Sequence, residues 1–181
     1  MRVVAGKYRG NNLFTLEGNN TRPTKDMVKE ALFSSLMVMP DESFLDIFSG
    51  SGAIGIEAIS RGLDDVVFND LNKDACKIIE KNLAKIRVNK KVYNLDYKAL
   101  LNSLKTSFDY IFADPPYAFE YYDDLFNLIE NNNLLKEKGI IILEVKSDNK
   151  LAERYSSYVL YKERKYGISK LLYYRKEIQN D

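Results

Sequence analysis

The sequence predicts an α/β fold around a mostly parallel sheet, and three observations carry that prediction. Short apolar runs of strand length alternate with segments of helical periodicity along the middle of the chain. Two of the runs, VVF at 66–68 and DYIFA at 109–113, lead directly into acidic positions, Asn69-Asp70 and Asp114. A glycine-rich loop, GSGAIG at 50–55, lies between a strand and the next helix. Alternating strands and helices give a parallel sheet covered on both faces, with ligands at the carboxyl ends of the strands.

The elements follow in order. Residues 2–16, RVVAGKYRGNNLFTL, read as two short strands around a Gly/Asn turn, a β-hairpin. From Thr24, Met27, Val28, Ala31, Leu32 and Leu36 recur at helical spacing. A strand at 43–48 precedes the glycine loop, and Ile54, Ala58 and Ile59 mark a helix after it. Residues 66–68 form the next strand. Residues 73–86 form an amphipathic helix with Cys76, Ile79, Leu83 and Ile86 on one face, so Cys76 reads as a packed thiol. A further strand should end near Leu95-Asp96. The strand at 109–113 runs into Asp114-Pro115-Pro116-Tyr117. A helix near 121–132 and a strand near 139–145 follow, and the tail, 155–176, reads as two tyrosine-rich strands around Gly167.

Composition narrows the chemistry. The 181 residues are 45% hydrophobic and 29% charged, as in ordinary globular proteins. The chain has one cysteine and no histidine. That excludes an internal disulfide, a cysteine metal cluster, a Ser-His-Asp triad, a Cys-His pair and any imidazole base. Residues 1–30 carry +3, residues 31–149 carry −6 and residues 150–181 carry +4, for a net +1. Basic ends around an acidic centre suit contact with a polyanion through the termini. With no membrane-spanning run and no leader-like opening, the expectation is a cytoplasmic protein that needs no metal.

GSGAIG fits G-x-G-x-x-G, which alone is compatible with a nicotinamide dinucleotide or any adenosine cofactor. Asp70 lies 20 residues beyond Gly50 at a strand end, where a carboxylate can accept from both ribose hydroxyls. Three features favour a cofactor without a pyrophosphate. Asp46, in the strand before the loop, would repel a pyrophosphate but suits a positive amino group. Asp96 offers an acceptor for an adenine amino group. Asp114–Tyr117 has no evident use in hydride transfer.

Together, D-x-F-x-G-x-G at 46–52, acids at 70 and 96, and DPPY at 114–117 resemble S-adenosyl-L-methionine-dependent methyltransferases acting on exocyclic amino groups. More narrowly, RVVAGKYRG at 2–10, RPT at 22–24, VKEALF at 28–33, IGIEAISRG at 54–62 and KYGISKLLYYRK at 165–176 resemble the RsmD family, bacterial methyltransferases that modify a guanine N2 in 16S ribosomal RNA. The resemblance implies a Rossmann-like class I methyltransferase fold, with a seven-stranded, mostly parallel sheet and a C-terminal antiparallel hairpin. It would form one domain over 1–181, with 1–23 as the hairpin arm and 24–181 as the catalytic core. The resemblance also implies that Asp46, Phe48, Gly50 and Gly52 line the methionine end of the cofactor. Asp70 would hold the ribose, Asp96 the adenine, and Asp114, Pro115, Pro116 and Tyr117 the target base.

Such a site needs no histidine. Asp114 and the Pro115 carbonyl can each accept one N–H of the amino group, and Tyr117 can stack on the base. Methyl transfer is then a direct displacement in which alignment supplies about 7–11 kcal/mol. The base must leave its stack to enter the pocket. Phe119, Tyr121 and Tyr122 stand beside the motif, the two tyrosines reading chiefly as packing for the following helix. Lys7, Arg9 and Arg22 are the expected phosphate contacts, with Arg22 also able to close over the cofactor. Glu57 is expected to bond backbone. The expected partner is 16S RNA in the small ribosomal subunit, met by a monomer. DNA adenine or a protein glutamine remain alternative amino targets, and a dinucleotide oxidoreductase or an inactive RNA-binding module remain alternative classes.

Overall fold

The computed structural model describes residues 1–16 and 23–177. In chain order the elements are α1 (Pro23–Ser35), β1 (Ser43–Asp46), α2 (Ala53–Ser60), β2 (Asp65–Asn69), α3 (Lys73–Lys85), β3 (Lys91–Tyr93), α4 (Tyr97–Ser103), β4 (Phe108–Ala113), α5 (Tyr122–Asn131), β5 (Leu135–Lys146), β6 (Arg154–Tyr155), β7 (Tyr158–Tyr166) and β8 (Ser169–Lys176). One sheet runs in the order β3-β2-β1-β4-β5-β8-β7-β6. The first five strands are parallel, and β8, β7 and β6 join antiparallel. Chain order reverses between β1 and β4, which makes their carboxyl ends the switch point where such sheets bind ligands.

Alternation along the strands divides two cores. Ile111, Ala113, Ile141 and Leu143 face α4 and α5 through Leu100, Leu101, Leu125, Phe126 and Ile129. Phe44, Phe68, Phe112 and Ile142 face α1, α2 and α3 through Val28, Leu32, Ile56, Ile59, Ile79 and Leu83. This second face continues upward into Asp46 on β1, and into Asp114 and Glu144 beyond Phe112 and Ile142, because side chains alternate with period two.

The parallel sheet and the C-terminal hairpin agree with the sequence expectation; β7 and β8 turn around Gly167. Three details differ. The sheet has an eighth strand, β6, only two residues long, held by Arg154↔Val159 and Tyr155↔Tyr158. The β3 strand ends at Tyr93, short of residues 95–96, because Leu95 exchanges bonds with the Asn69 side chain instead of a strand. The N-terminal arm is a hairpin, as expected, but without two regular strands: the Arg2↔Asn12 bridge and bonds from the Val3, Gly10 and Leu13 amides to the Asn11, Val3 and Met1 carbonyls, at 3.0, 2.9 and 2.8 Å, join its two sides. Its backbone is tied to helix side chains. The Val4 and Ala5 amides donate to Glu57 at 2.8 and 2.9 Å, Tyr8 to Ser60 Oγ at 2.9 Å, and Phe14 to Asn82 Oδ1 at 2.8 Å.

Glu57 thus bonds backbone, as expected, but backbone more than fifty residues away. Cys76 is buried, with Sγ 3.4 Å from the Asp70 carbonyl and 3.3 Å from that of Tyr93. No described helix is long and apolar enough to cross a membrane.

Candidate active site

A cleft of about 690 Å³ opens over the carboxyl ends of the central strands. That is the ordinary size of a small-molecule site. Asp46, Phe48, Gly50, Asp70, Asp96, Asp114, Pro115, Pro116 and Tyr117 all line it. Residues from four separate strand ends therefore meet in one cavity.

The glycine loop is held by its neighbours. Ser49 N–H donates to the Asn69 carbonyl at 2.8 Å, and Gly50 N–H donates to Asp70 Oδ2 at 2.8 Å. Asp70 Oδ1 accepts from Asn72 N–H at 2.8 Å, so this carboxylate joins the loop to the end of β2 while each oxygen keeps a further lone pair. Gly52 departs from expectation: it is buried and does not line the cleft. It precedes α2 at φ 77°, and a Cβ there would meet Ile79 Cγ1 at 3.1 Å. Its role is to turn the chain into the helix beneath the cavity. Gly55 lets α2 press on β2, since a Cβ would fall 2.2 Å from the Phe68 ring.

Asp46 is the most constrained acid. It is 1% exposed, and neither carboxylate oxygen has a hydrogen-bond partner of good geometry. Burial pushes its pKa up to about 7; the nearby Gly55 amide and Ser49 hydroxyl restrain the rise, and Asp70 adds to it. A buried carboxylate without a partner costs free energy unless a ligand supplies a donor or cation. Asp96 is exposed, and its Oδ1 caps α4 by accepting from Lys98 N–H at 2.9 Å.

Asp114, just beyond β4, has much of its surface open to the cavity while protein groups crowd its carboxyl. Burial raises its pKa well above the ordinary carboxylate range. Glu144 and Asp46 raise it further, and Lys25 opposes them. The Pro116 carbonyl accepts from Phe119 N–H at 2.8 Å, which closes the turn after the motif. Tyr117 is 78% exposed at the mouth, with Lys146 Nζ 4.5 Å from its ring centre.

Phe119 packs edge-on against Phe48, Tyr97, Tyr121 and Tyr122 at centroid distances of 5.1–5.8 Å. Tyr122 is buried at the start of α5, as its packing role requires, whereas Tyr121 remains largely exposed.

Lys7 and Arg9 are exposed on the arm and do not line the cleft. Arg22 lies outside the described residues. Sequence reasoning missed Lys25 and Lys29 on α1 and Glu144 on β5, which all line the cavity. The signals were available: two lysines four apart beside an apolar stripe, and an acid closing the buried run GIIIL.

The sheet order and its acid-lined switch-point cleft define a Rossmann-like class I methyltransferase. Residues 1–175 match the family described as conserved hypothetical protein 95. The chain is 35% identical over 174 residues to the Haemophilus influenzae protein named ribosomal RNA small subunit methyltransferase D, covering 93% of this chain and 90% of that one. It is 31% identical over 183 residues to the Escherichia coli protein of the same name, covering 100% and 92%. The solved structure of Escherichia coli yhhF superposes with a TM-score of 0.87 at 31% identity over 99% of each chain. The chain belongs to this family, the RsmD methyltransferases.

Proposed function

We propose that the protein methylates the exocyclic N2 of a guanine in 16S ribosomal RNA of the small subunit, in the cytoplasm, with S-adenosyl-L-methionine as methyl donor. One observation carries this reading: a single cleft is lined both by a buried carboxylate without a partner and by the Asp114–Tyr117 turn. The names of the relatives support ribosomal RNA as the target class. Guanine N2 is supported by the family resemblance and by the amino-binding motif.

The donor set fits the cofactor. Asp46 is placed to accept the cofactor's ammonium group, which would satisfy its orphaned oxygens. Asp70 keeps lone pairs for the ribose hydroxyls, Asp96 is open for the adenine amino group, and Phe48 covers one wall. S-adenosyl-L-methionine supplies a methyl carbon on a positively charged sulfur that becomes a neutral thioether.

Asp114 and the Pro115 carbonyl accept the two amino hydrogens and turn the nitrogen lone pair toward that carbon. Asp114 would stabilise the positive charge that develops on that nitrogen as it takes the methyl group. The proton that nitrogen then sheds passes to the Asp114 carboxylate, whose raised pKa suits it as acceptor. Tyr117 stacks on the base at the mouth of the cleft. Lys7, Arg9 and Arg22 contact RNA phosphates.

The test offers radiolabelled S-adenosyl-L-methionine with small subunits, naked 16S RNA and duplex DNA in parallel. Label should enter small-subunit RNA as N2-methylguanine. Asp114→Ala should lower transfer at least about 100-fold while cofactor affinity is kept. Full activity in that variant would overturn the mechanism, and label in DNA alone would overturn the target.

A further inference from the structure

Glu144 has no part in the motif chemistry, yet it stands beside Asp114. The register pairs Ala113 with Leu143, so the next residues of the two parallel strands, Asp114 and Glu144, are lateral neighbours. Adjacent strands lie about 4.8 Å apart. Both residues continue the rows of Phe112 and Ile142, and both line the cleft. Lys25 faces the pair from α1 and the Ser169 hydroxyl faces Glu144 from β8; each favours the charged form.

Two carboxylates side by side in a cavity repel one another. Lys25 and Ser169 offset part of that repulsion, and a ligand that presents two neighbouring donors would offset more. The Watson–Crick edge of guanine does so, with N1–H next to the N2 amino group. Adenine and cytosine instead present a ring-nitrogen acceptor beside their amino groups. An unpaired acceptor facing a carboxylate that the bound base would cover is a strong penalty.

We propose that Glu144 is the specificity-determining residue of the site, accepting guanine N1–H while Asp114 accepts the adjacent N2–H. The inference rests on the functional reading above and deepens it. It makes the base choice a property of Glu144 standing beside Asp114 rather than of the DPPY turn alone, which serves several amino targets equally well.

The test replaces the guanine labelled in the wild-type assay by 2-aminopurine, in 16S RNA assembled into small subunits. That base keeps the N2 amino group and lacks the N1 hydrogen. The wild-type protein should prefer guanine by on the order of 100-fold in kcat/KM. Glu144→Gln, whose amide can donate to the bare ring nitrogen, should narrow the preference below about tenfold, with cofactor affinity kept. Equal losses on both bases in Glu144→Gln would overturn the inference and leave the functional reading standing. So would equal wild-type rates on both bases, a comparison that needs no variant to fold. Absence of wild-type label in any RNA would overturn the functional reading itself and this inference with it.

Discussion

Asp46 shows how one side chain can trade stability for binding. Its carboxyl titrates near 3.8 in the unfolded chain and near 7 in the fold. The folded state therefore holds the proton more tightly, and stability falls as pH rises between those values. The gap between the two values corresponds to at most roughly 4 kcal/mol. Asp46→Asn should raise the Tm of the free protein at pH 8, and the gain should shrink as pH falls toward 4. The same variant should lose affinity for S-adenosyl-L-methionine in calorimetric titration at pH 8, because a cation bound there needs the carboxylate. An unchanged Tm at pH 8 would mean that Asp46 is not the uncompensated charge its burial indicates. The position is legible because an acid inside FLDIF contradicts an apolar strand. Glu144 is harder to read, since an acid ending an apolar run looks like an ordinary strand exit. Only the pairing of β4 with β5 shows what stands next to it. Gly52 escapes sequence reading because a glycine that admits a ligand and one that turns into a helix look alike.

Among the elements, the N-terminal arm keeps the hairpin its sequence pattern suggests, in irregular form. What the pattern does not show is that its Val4, Ala5, Tyr8 and Phe14 amides are held by Glu57, Ser60 and Asn82 on α2 and α3. Contacts separated by fifty or more residues leave no periodicity to read. Glu57 is fully buried and also meets Arg61 Nε at 3.0 Å. Glu57→Ala should leave Arg61 paired with Glu30 alone and free the Val4 and Ala5 amides, at a cost of about 1–3 kcal/mol for each amide left unpaired. Limited trypsin digestion would then show faster cleavage at Lys7 and Arg9, and an unchanged rate would show the arm to be held by other contacts. The α4 helix is hidden for a different reason: seven residues make two turns, too few for a helical period to emerge. The long, strongly patterned elements β4, α3 and β5 can be read because each repeats its period several times.

For the whole molecule, the uneven charge along the chain becomes an arrangement in space. The acidic middle contributes Asp46, Asp70, Asp96, Asp114 and Glu144 to one cavity. The basic ends form the arm and the β7–β8 hairpin, whose Lys162, Arg164, Lys165, Arg175 and Lys176 follow one another along the two strands. An acid-lined pocket in a chain with basic ends suits the proposed pairing of a positively charged methyl donor with a polyanionic acceptor. Affinity for 16S RNA should therefore fall linearly with salt on logarithmic axes. Changing Lys7 and Arg9 to glutamine should reduce that slope by about 0.7–0.9 for each phosphate left without its cation. An unchanged slope in filter-binding titrations would remove the arm from the RNA interface. The parallel order of the sheet is readable from strand–helix alternation, while the two-residue strand β6 lies below the length at which composition signals a strand.

Tyr117, nearly free at the mouth of the cleft beneath Lys146, has a practical consequence. The chain contains no tryptophan, so its ultraviolet emission is that of tyrosine alone. Tyr117→Trp would set a solitary indole fluorophore on the surface proposed to stack the incoming nucleobase. Base capture would then become an optical event that can be timed separately from the chemistry that follows.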